Sequence, residues 1–300
     1  MKYMTGQGLN NMGKLSGYLH LMRPVNCLMM GFAVIVGSAI ANPNFLSILW
    51  QNLIYGFITG FMLTSASMVI NDYCDKEIDA INEPERPIPS GLIKPKEALA
   101  FASVLTALGF LASLANSYLM GTILCFVIAV IAWMIFITYT TVGKRSGLPG
   151  NFLVSICVSI PFIYGSVIVV NEIRLNVLIF VLMVFLSNTG REITKGIVDV
   201  QGDKMQNVKT LAVRYGEKVA AMVAALFYLS AIFLSPIPWL LKIASFWFIP
   251  LVVVADFGLA ASSFMLIKDH SKENARKIKK IVLLWFLFGL LAFIVGALKV

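Results

Sequence analysis

From Met22 onward the chain is a succession of apolar stretches about as long as a bilayer is thick, separated by short charged segments. A helix needs about 20 apolar residues to cross the hydrocarbon core. In lipid every backbone N–H and C=O must be satisfied within the structure, which leaves only helices and closed barrels. Barrel strands alternate apolar and polar residues, whereas these stretches are unbroken, so the expected architecture is an all-α membrane protein. Windows of about 19 residues place nine transmembrane helices near 22–41, 52–72, 97–115, 118–139, 151–170, 175–195, 217–235, 243–267 and 280–298. Only 13% of the 300 residues are charged and 59% are apolar, against roughly a quarter charged in soluble domains, which excludes a soluble globule and a disordered chain alike. Cys27, Cys74, Cys125 and Cys157 lie in or beside apolar runs without C-x-x-C spacing and read as small hydrophobes.

The charges sort by side. The N-terminal segment and the connections after spans 2, 4, 6 and 8 carry 21 of the 24 Lys and Arg, leaving Arg174, Lys242 and Lys299 for the other side. The positive-inside rule then puts the N-terminus and the even-numbered connections in the cytoplasm and the C-terminus outside. Residues 1–21 read as a polar cytoplasmic segment without the apolar core of a secretory signal, so the first span is expected to be retained, and residues 1–300 read as a single transmembrane domain. The net charge of +9 is mostly a topological signal, and no basic soluble domain is present through which to bind nucleic acid.

The acids collect on the side where cations are expected: eleven of 15 lie around the second and sixth connections. Asn71, Asp75 and Asp79 recur every four residues, and so do Lys195, Asp199 and Asp203. Residues four apart share a helix face, where like charges repel unless a cation lies between them. Oxygen donors without His or Cys suit a hard ion, Mg²⁺ above all, which completes its shell with water and substrate phosphate. Asn71, Asp75, Asp79, Asp199 and Asp203 are therefore the expected metal ligands, and two such stripes at one membrane face would converge on one diphosphate. Their recurrence four helices apart suggests two four-helix repeats plus a ninth helix around a central cavity. His20 and His270 are not near either motif in the sequence and receive no role.

Basic residues complete an anion site. Arg86 lies in Asn82-Glu83-Pro84-Glu85-Arg86-Pro87-Ile88-Pro89-Ser90-Gly91, whose prolines cannot continue a helix and would hold it on a stiff loop. Lys144 and Arg145 follow span 4, and Lys195 closes span 6. Arg offers phosphate a bidentate fork and Lys a point charge, so these four are the candidates to hold a diphosphate. Tyr139 lies at the same membrane end.

Asn71-x3-Asp75-x3-Asp79 with Arg86-Pro87-Ile88-Pro89-Ser90-Gly91, and Asp199-x3-Asp203 four helices on, resemble the UbiA superfamily of intramembrane prenyltransferases over nearly the whole chain. Within it, Asn71 to Gly91 and Asn188-Thr189-Gly190-Arg191-Glu192-Ile193-Thr194-Lys195-Gly196 are most similar to the archaeal digeranylgeranylglyceryl phosphate synthases. The resemblance implies a Mg²⁺-dependent enzyme whose aspartates engage diphosphate in a cavity opening sideways to lipid. It implies geranylgeranyl diphosphate as donor and the hydroxyl of geranylgeranylglyceryl phosphate, a lipid-like glyceryl phosphate, as acceptor. Tyr139 and Lys144 look like the family's Tyr and Lys after helix 4, although the interval here is five residues where many members have four. Arg23-Pro24-Val25-Asn26 is similar to the family's opening and adds Arg23 and Asn26 as phosphate contacts. Oligomeric state is not legible.

Two rivals remain open at this point, and a third is excluded. An aromatic prenyltransferase acting on a quinone precursor would share the fold. An ion-coupled transporter would place its carboxylates near the midplane, where Asp256 in span 8 is the one candidate. A CDP-alcohol phosphatidyltransferase would need a D-G-x-x-A-R element, which the sequence lacks.

Overall fold

The computed structural model describes residues 13–44, 50–205 and 207–298. Lys2 and Lys299 of the charge count, and residues 1–12 of the polar N-terminal segment, lie outside the described residues. In chain order the helices are α1 (Lys14–Met22), α2 (Pro24–Ala41), α3 (Trp50–Cys74), α4 (Lys76–Asn82), α5 (Pro95–Leu119), α6 (Leu124–Thr141), α7 (Leu148–Val170), α8 (Leu175–Val198), α9 (Val200–Met205), α10 (Leu211–Tyr215), α11 (Glu217–Leu234), α12 (Ile237–Leu240), α13 (Phe248–Lys268) and α14 (Lys272–Ala297). Among the described residues nine helices are long and apolar enough to cross a membrane: α2, α3, α5, α6, α7, α8, α11 with α12, α13 and α14.

Three of the expected boundaries move. The fourth span begins at Leu124, not near 118, because α5 continues to Leu119 and the chain then turns through Gly121 at φ +61°. The eighth begins at Phe248, not near 243. The ninth begins at Lys272, eight residues before the apolar run, where the Ser271 side chain accepts the Asn274 N–H and caps it, as Ser does at helix starts. Its basic first turns thus belong to the helix rather than to a loop.

Each long helix packs on the next in sequence, the last packs on the first, and α2 also lies against α7. At the end far from the aspartate motifs α2 and α7 nearly touch: a Cβ on Gly37 would come within 2.2 Å of the Phe162 carbonyl, and one on Gly165 within 2.2 Å of the Val34 carbonyl. Small residues permit this approach, and polar side chains lock it. Ser38 donates to the Gly165 carbonyl at 2.9 Å, Asn52 to Ile168 at 2.7 Å and Asn176 to Ile40 at 2.8 Å. The interior is divided on either side of this crossing. One apolar cavity is bounded by α2, α3, α6 and α7, the other by α2, α7, α8, α11, α13 and α14.

Candidate active site

The first motif is a broken helix. α3 ends at Cys74 and α4 begins at Lys76, with Asp75 between them at φ −88°, ψ 2°, in the sparsely allowed bridge region. The i to i−4 hydrogen bonds continue across the break, Asp75 N–H to Asn71 at 2.9 Å and Asp79 N–H to Asp75 at 2.8 Å. The expected four-residue stripe is thereby preserved. Asp72, Asp75 and Asp79 are all buried, at 2%, 9% and 6% exposure, which carboxylates tolerate only when paired. Each has a cation. Arg23 Nη2 lies 2.6 Å from Asp72 Oδ1, and Arg86 Nη1 reaches Asp79 Oδ2 at 2.6 Å and Asp72 Oδ1 at 3.6 Å. Lys144 Nζ meets Asp75 Oδ2, which also accepts the Asn71 amide N–H at 3.1 Å. Burial pushes the Asp79 carboxyl above its ordinary range, against the opposing pull of Arg86.

The proline-bearing loop presents Arg86 as expected. Ile88 and Ile93 anchor it in a core with Leu21, Ala66 and Val69, the Ile93 N–H closes on the Pro87 carbonyl at 2.9 Å, and Gly91 takes φ +77°.

The second motif repeats the break without the burial. α8 ends at Val198 and α9 begins at Val200, with Asp199 between them at φ −101°, ψ 9°. Asp199 is exposed and Asp203 half-buried, and among the described residues neither makes an ion pair. Burial, then the neighbouring Asp199 charge, push the Asp203 carboxyl up to about 6. Lys195 turns instead to Glu192, Nζ to Oε2 at 2.7 Å, and Arg191 Nη1 lies 3.2 Å from Glu192 Oε1.

The connection after α6 joins the two motifs. Lys144, paired with Asp75, is close enough for its charge to act on Asp203. Its neighbours lie against the loop after α9, with Lys209 N–H donating to the Arg145 carbonyl at 3.3 Å. A Cβ on Gly147 would strike the Lys209 carbonyl at 2.1 Å, so only Gly allows this approach. Tyr139 stands between the motifs, within the fields of Glu192, Asp75 and Asp203. One turn before it, Phe136 lines the cavity between α3 and α6, together with Thr64, Ser67 and Trp133.

Not every expected residue is gathered. The Arg145 side chain is exposed, and Asn26 is exposed one turn from Arg23. Arg23 is present as the partner of Asp72 rather than as a free phosphate ligand. Conversely, Asp72 and Glu192 are in the ionic networks although neither falls on a four-residue stripe, and His20 on α1 is near enough for its charge to act on Asp72. A charged residue inside an otherwise apolar span was the available signal for both acids. Asp256, the transporter candidate, accepts a hydrogen bond from Ser235 at 2.5 Å on the wall of the larger cavity.

No three of His, Cys, Asp and Glu approach closely enough to form a preassembled metal cage among the described residues. The donor set nevertheless fits Mg²⁺, which uses few protein carboxylates and draws its other ligands from water and phosphate. The first motif already holds cationic groups against its carboxylates, and the second has two neighbouring carboxylates, neither in an ion pair among the described residues.

Residues 30–297 match the UbiA prenyltransferase family. The digeranylgeranylglyceryl phosphate synthase of Methanosarcina mazei is 36% identical over 292 residues, covering 93% of this chain and 97% of that protein. The enzyme of the same name from Methanocaldococcus jannaschii is 36% identical over 289 residues, covering 96% and 98%. A solved structure of a digeranylgeranylglyceryl phosphate synthase superposes with a TM-score of 0.77 at 36% identity, covering 96% of this chain and 99% of that one. A UbiA homolog from Archaeoglobus fulgidus, solved bound to DMAPP and Mg²⁺, shares the fold with a TM-score of 0.67 at 20% identity, covering 92% and 98%. A bundle of nine membrane-length helices with paired aspartate motifs at one end thus matches known enzymes along almost its whole length, and the chain belongs to the UbiA prenyltransferase family.

Proposed function

We propose that the chain transfers a geranylgeranyl group from geranylgeranyl diphosphate to the free hydroxyl of geranylgeranylglyceryl phosphate, forming a diether lipid precursor and releasing diphosphate. The observation that carries this reading is the position of Lys144, paired with Asp75 of the first motif and acting on Asp203 of the second, so that both motifs address one polar site above apolar cavities. The names of the relatives in Methanosarcina mazei and Methanocaldococcus jannaschii support this acceptor over an aromatic one. On this reading residues 1–300 act as one unit, with the N-terminal segment 1–21 and the site on the cytoplasmic side and the C-terminus outside, as the Lys and Arg distribution requires.

Asn71, Asp75, Asp79, Asp199 and Asp203 would hold Mg²⁺, which neutralises charge on the diphosphate when bound. The protein's own cations do the rest by exchanging partners. Arg86 and Lys144 leave Asp79 and Asp75 and turn to diphosphate oxygens, where they stabilise the charge that develops as the allylic C–O bond breaks. The ring of Tyr139 faces the resulting allylic cation. The helix bundle excludes water that would otherwise capture that cation as an alcohol. The acceptor oxygen then forms the new C–O bond, and its proton, made acidic by that bond, needs only a weak base. No histidine is required.

Purified protein incubated with geranylgeranyl diphosphate, Mg²⁺ and either geranylgeranylglyceryl phosphate or an aromatic acid should yield only the diether phosphate, identified by mass. A prenylated aromatic product with no diether would replace this reading with its nearest rival.

A further inference from the structure

On the proposed reading both substrates carry phosphate, so the enzyme must hold a second anionic head apart from the diphosphate. The cations around the first motif are taken up there: on that reading Arg86 and Lys144 turn to the diphosphate, and Arg23 pairs with Asp72. A separate group lies between α8 and α14. Arg191 and Lys195 stand one turn apart on α8 and share Glu192. Ile278 and Val282 of α14 pack in one core with Ile193 and Ile197 of α8, which brings half-buried Lys279 to the same level. There it lies within the fields of Asp199, Lys195, Arg276 and Arg191.

This group carries more positive charge than its surroundings answer. Four cations, Arg191, Lys195, Lys279 and Arg276, gather beside Glu192, which pairs with Arg191 and Lys195, and Asp199, whose charge acts on Lys279. Arg191 Nε is buried without any hydrogen-bond partner among the described residues. A buried donor without an acceptor, amid half-buried cations, costs free energy that an anion would recover. Directly beneath, the same two helices line the larger cavity, α8 with Ser187 and Asn188, one turn before Arg191, and α14 with Trp285 and Phe286, about two turns after Lys279. Its volume is about 110 Å³ and its lining is otherwise almost wholly apolar.

We propose that Arg191, Lys195 and Lys279 form the site for the phosphate monoester head of the acceptor lipid, with the first part of its apolar tail entering the cavity between α8 and α14. An Arg fork and two Lys point charges match a dianionic monoester. The site is separate from the Asp75 and Asp79 region and borders Asp199 of the second motif.

The test is equilibrium binding to the full chain in detergent, without Mg²⁺ or donor, of a monoalkylglyceryl phosphate and of the monoalkylglycerol lacking the phosphate. The wild type should bind the phosphate form at least tenfold more tightly, about 1.4 kcal/mol. Lys279→Met should remove most of that preference, and Lys279→Arg should restore it. Inorganic phosphate should compete only at much higher concentration than the amphiphile; equal potency would overturn the tail assignment. Equal wild-type binding of phosphate and alcohol forms would overturn the headgroup site, as would a Lys279→Met variant that weakens donor binding and leaves the phosphate preference intact. Because no turnover is needed, this outcome is independent of whether the diether appears in the product assay.

Discussion

Asp75 and Asp199 occupy matching places, each where a long span breaks into a short helix, with backbone angles that differ by only 13° in φ (−88° against −101°) and 7° in ψ (2° against 9°). Their electrostatics are opposite. Asp75 is 9% exposed and paired with Lys144, beside Asp72 and Asp79, which Arg23 and Arg86 neutralise. Asp199 is exposed, and its nearest carboxylate neighbour is pushed up to about 6, first by burial and then by Asp199 itself. One motif is a closed ionic network; the other is an open pair of acids, neither in an ion pair among the described residues. On the proposed reading, the same residue spacing serves stability as well as ligation in one half and ligation alone in the other.

The largest effect expected of this contrast is on activity, and it should be the same on both sides. Asp75→Ala and Asp199→Ala should each lower the transfer rate by about 10²- to 10³-fold, the usual cost of removing one preorganised electrostatic contact, as measured by product formation at saturating Mg²⁺. Near-normal turnover in either variant would remove that motif from the site.

Stability should then separate them. Asp72→Ala removes the carboxylate partner of Arg23 and should cost about 1 to 3 kcal/mol, seen as faster loss of folded protein on heating. Asp199→Ala should be within about 0.5 kcal/mol of the wild type, as for exposed positions. Equal destabilisation would erase the distinction drawn here.

Much of this was legible in the sequence. Apolar runs gave nine spans because lipid leaves the backbone few alternatives, and the four-residue period located both stripes because the helical hydrogen bonds survive the breaks at Asp75 and Asp199. Asp72 was not legible from that period. It is about 100° from Asn71 on an ideal helix and so should face away, yet Arg86 returns on the proline-bearing loop to a position between α3 and α4 and meets Asp72 as well as Asp79. Tertiary return of a loop is invisible to local periodicity. The same holds for Lys279, which only the packing of α14 on α8 brings beside Asp199. Arg145 shows the converse: adjacent to Lys144 in sequence, it remains exposed because the turn at Gly143–Arg145 directs the two side chains apart.

A smaller effect distinguishes the motifs by pH. A proton on Asp203 competes with Mg²⁺, and with its carboxyl pushed up to about 6 the competition begins near pH 6. The Mg²⁺ concentration for half-maximal rate should rise up to about tenfold per pH unit below that value, since one proton is displaced per site. Asp203→Asn should flatten this dependence in whatever activity remains. An unchanged profile would mean that Asp203 is not a ligand. Smallest of all, Arg145→Ala should alter rate and affinity by less than about twofold, as expected of an exposed side chain away from such networks. A tenfold loss there would show that the exposed cation joins the site when substrate binds.

The central claim is that the two motifs share one diphosphate through Lys144 and Mg²⁺. It is tested most directly by Mg²⁺-dependent binding of geranylgeranyl diphosphate to Asp75→Ala, Asp199→Ala and the double variant. If both motifs hold one ligand, either single change should remove nearly as much binding as the double, a strong coupling in the mutant cycle. Losses that simply add, or Mg²⁺-dependent binding that survives in one single variant at wild-type strength, would place the motifs on separate ligands and contradict the account.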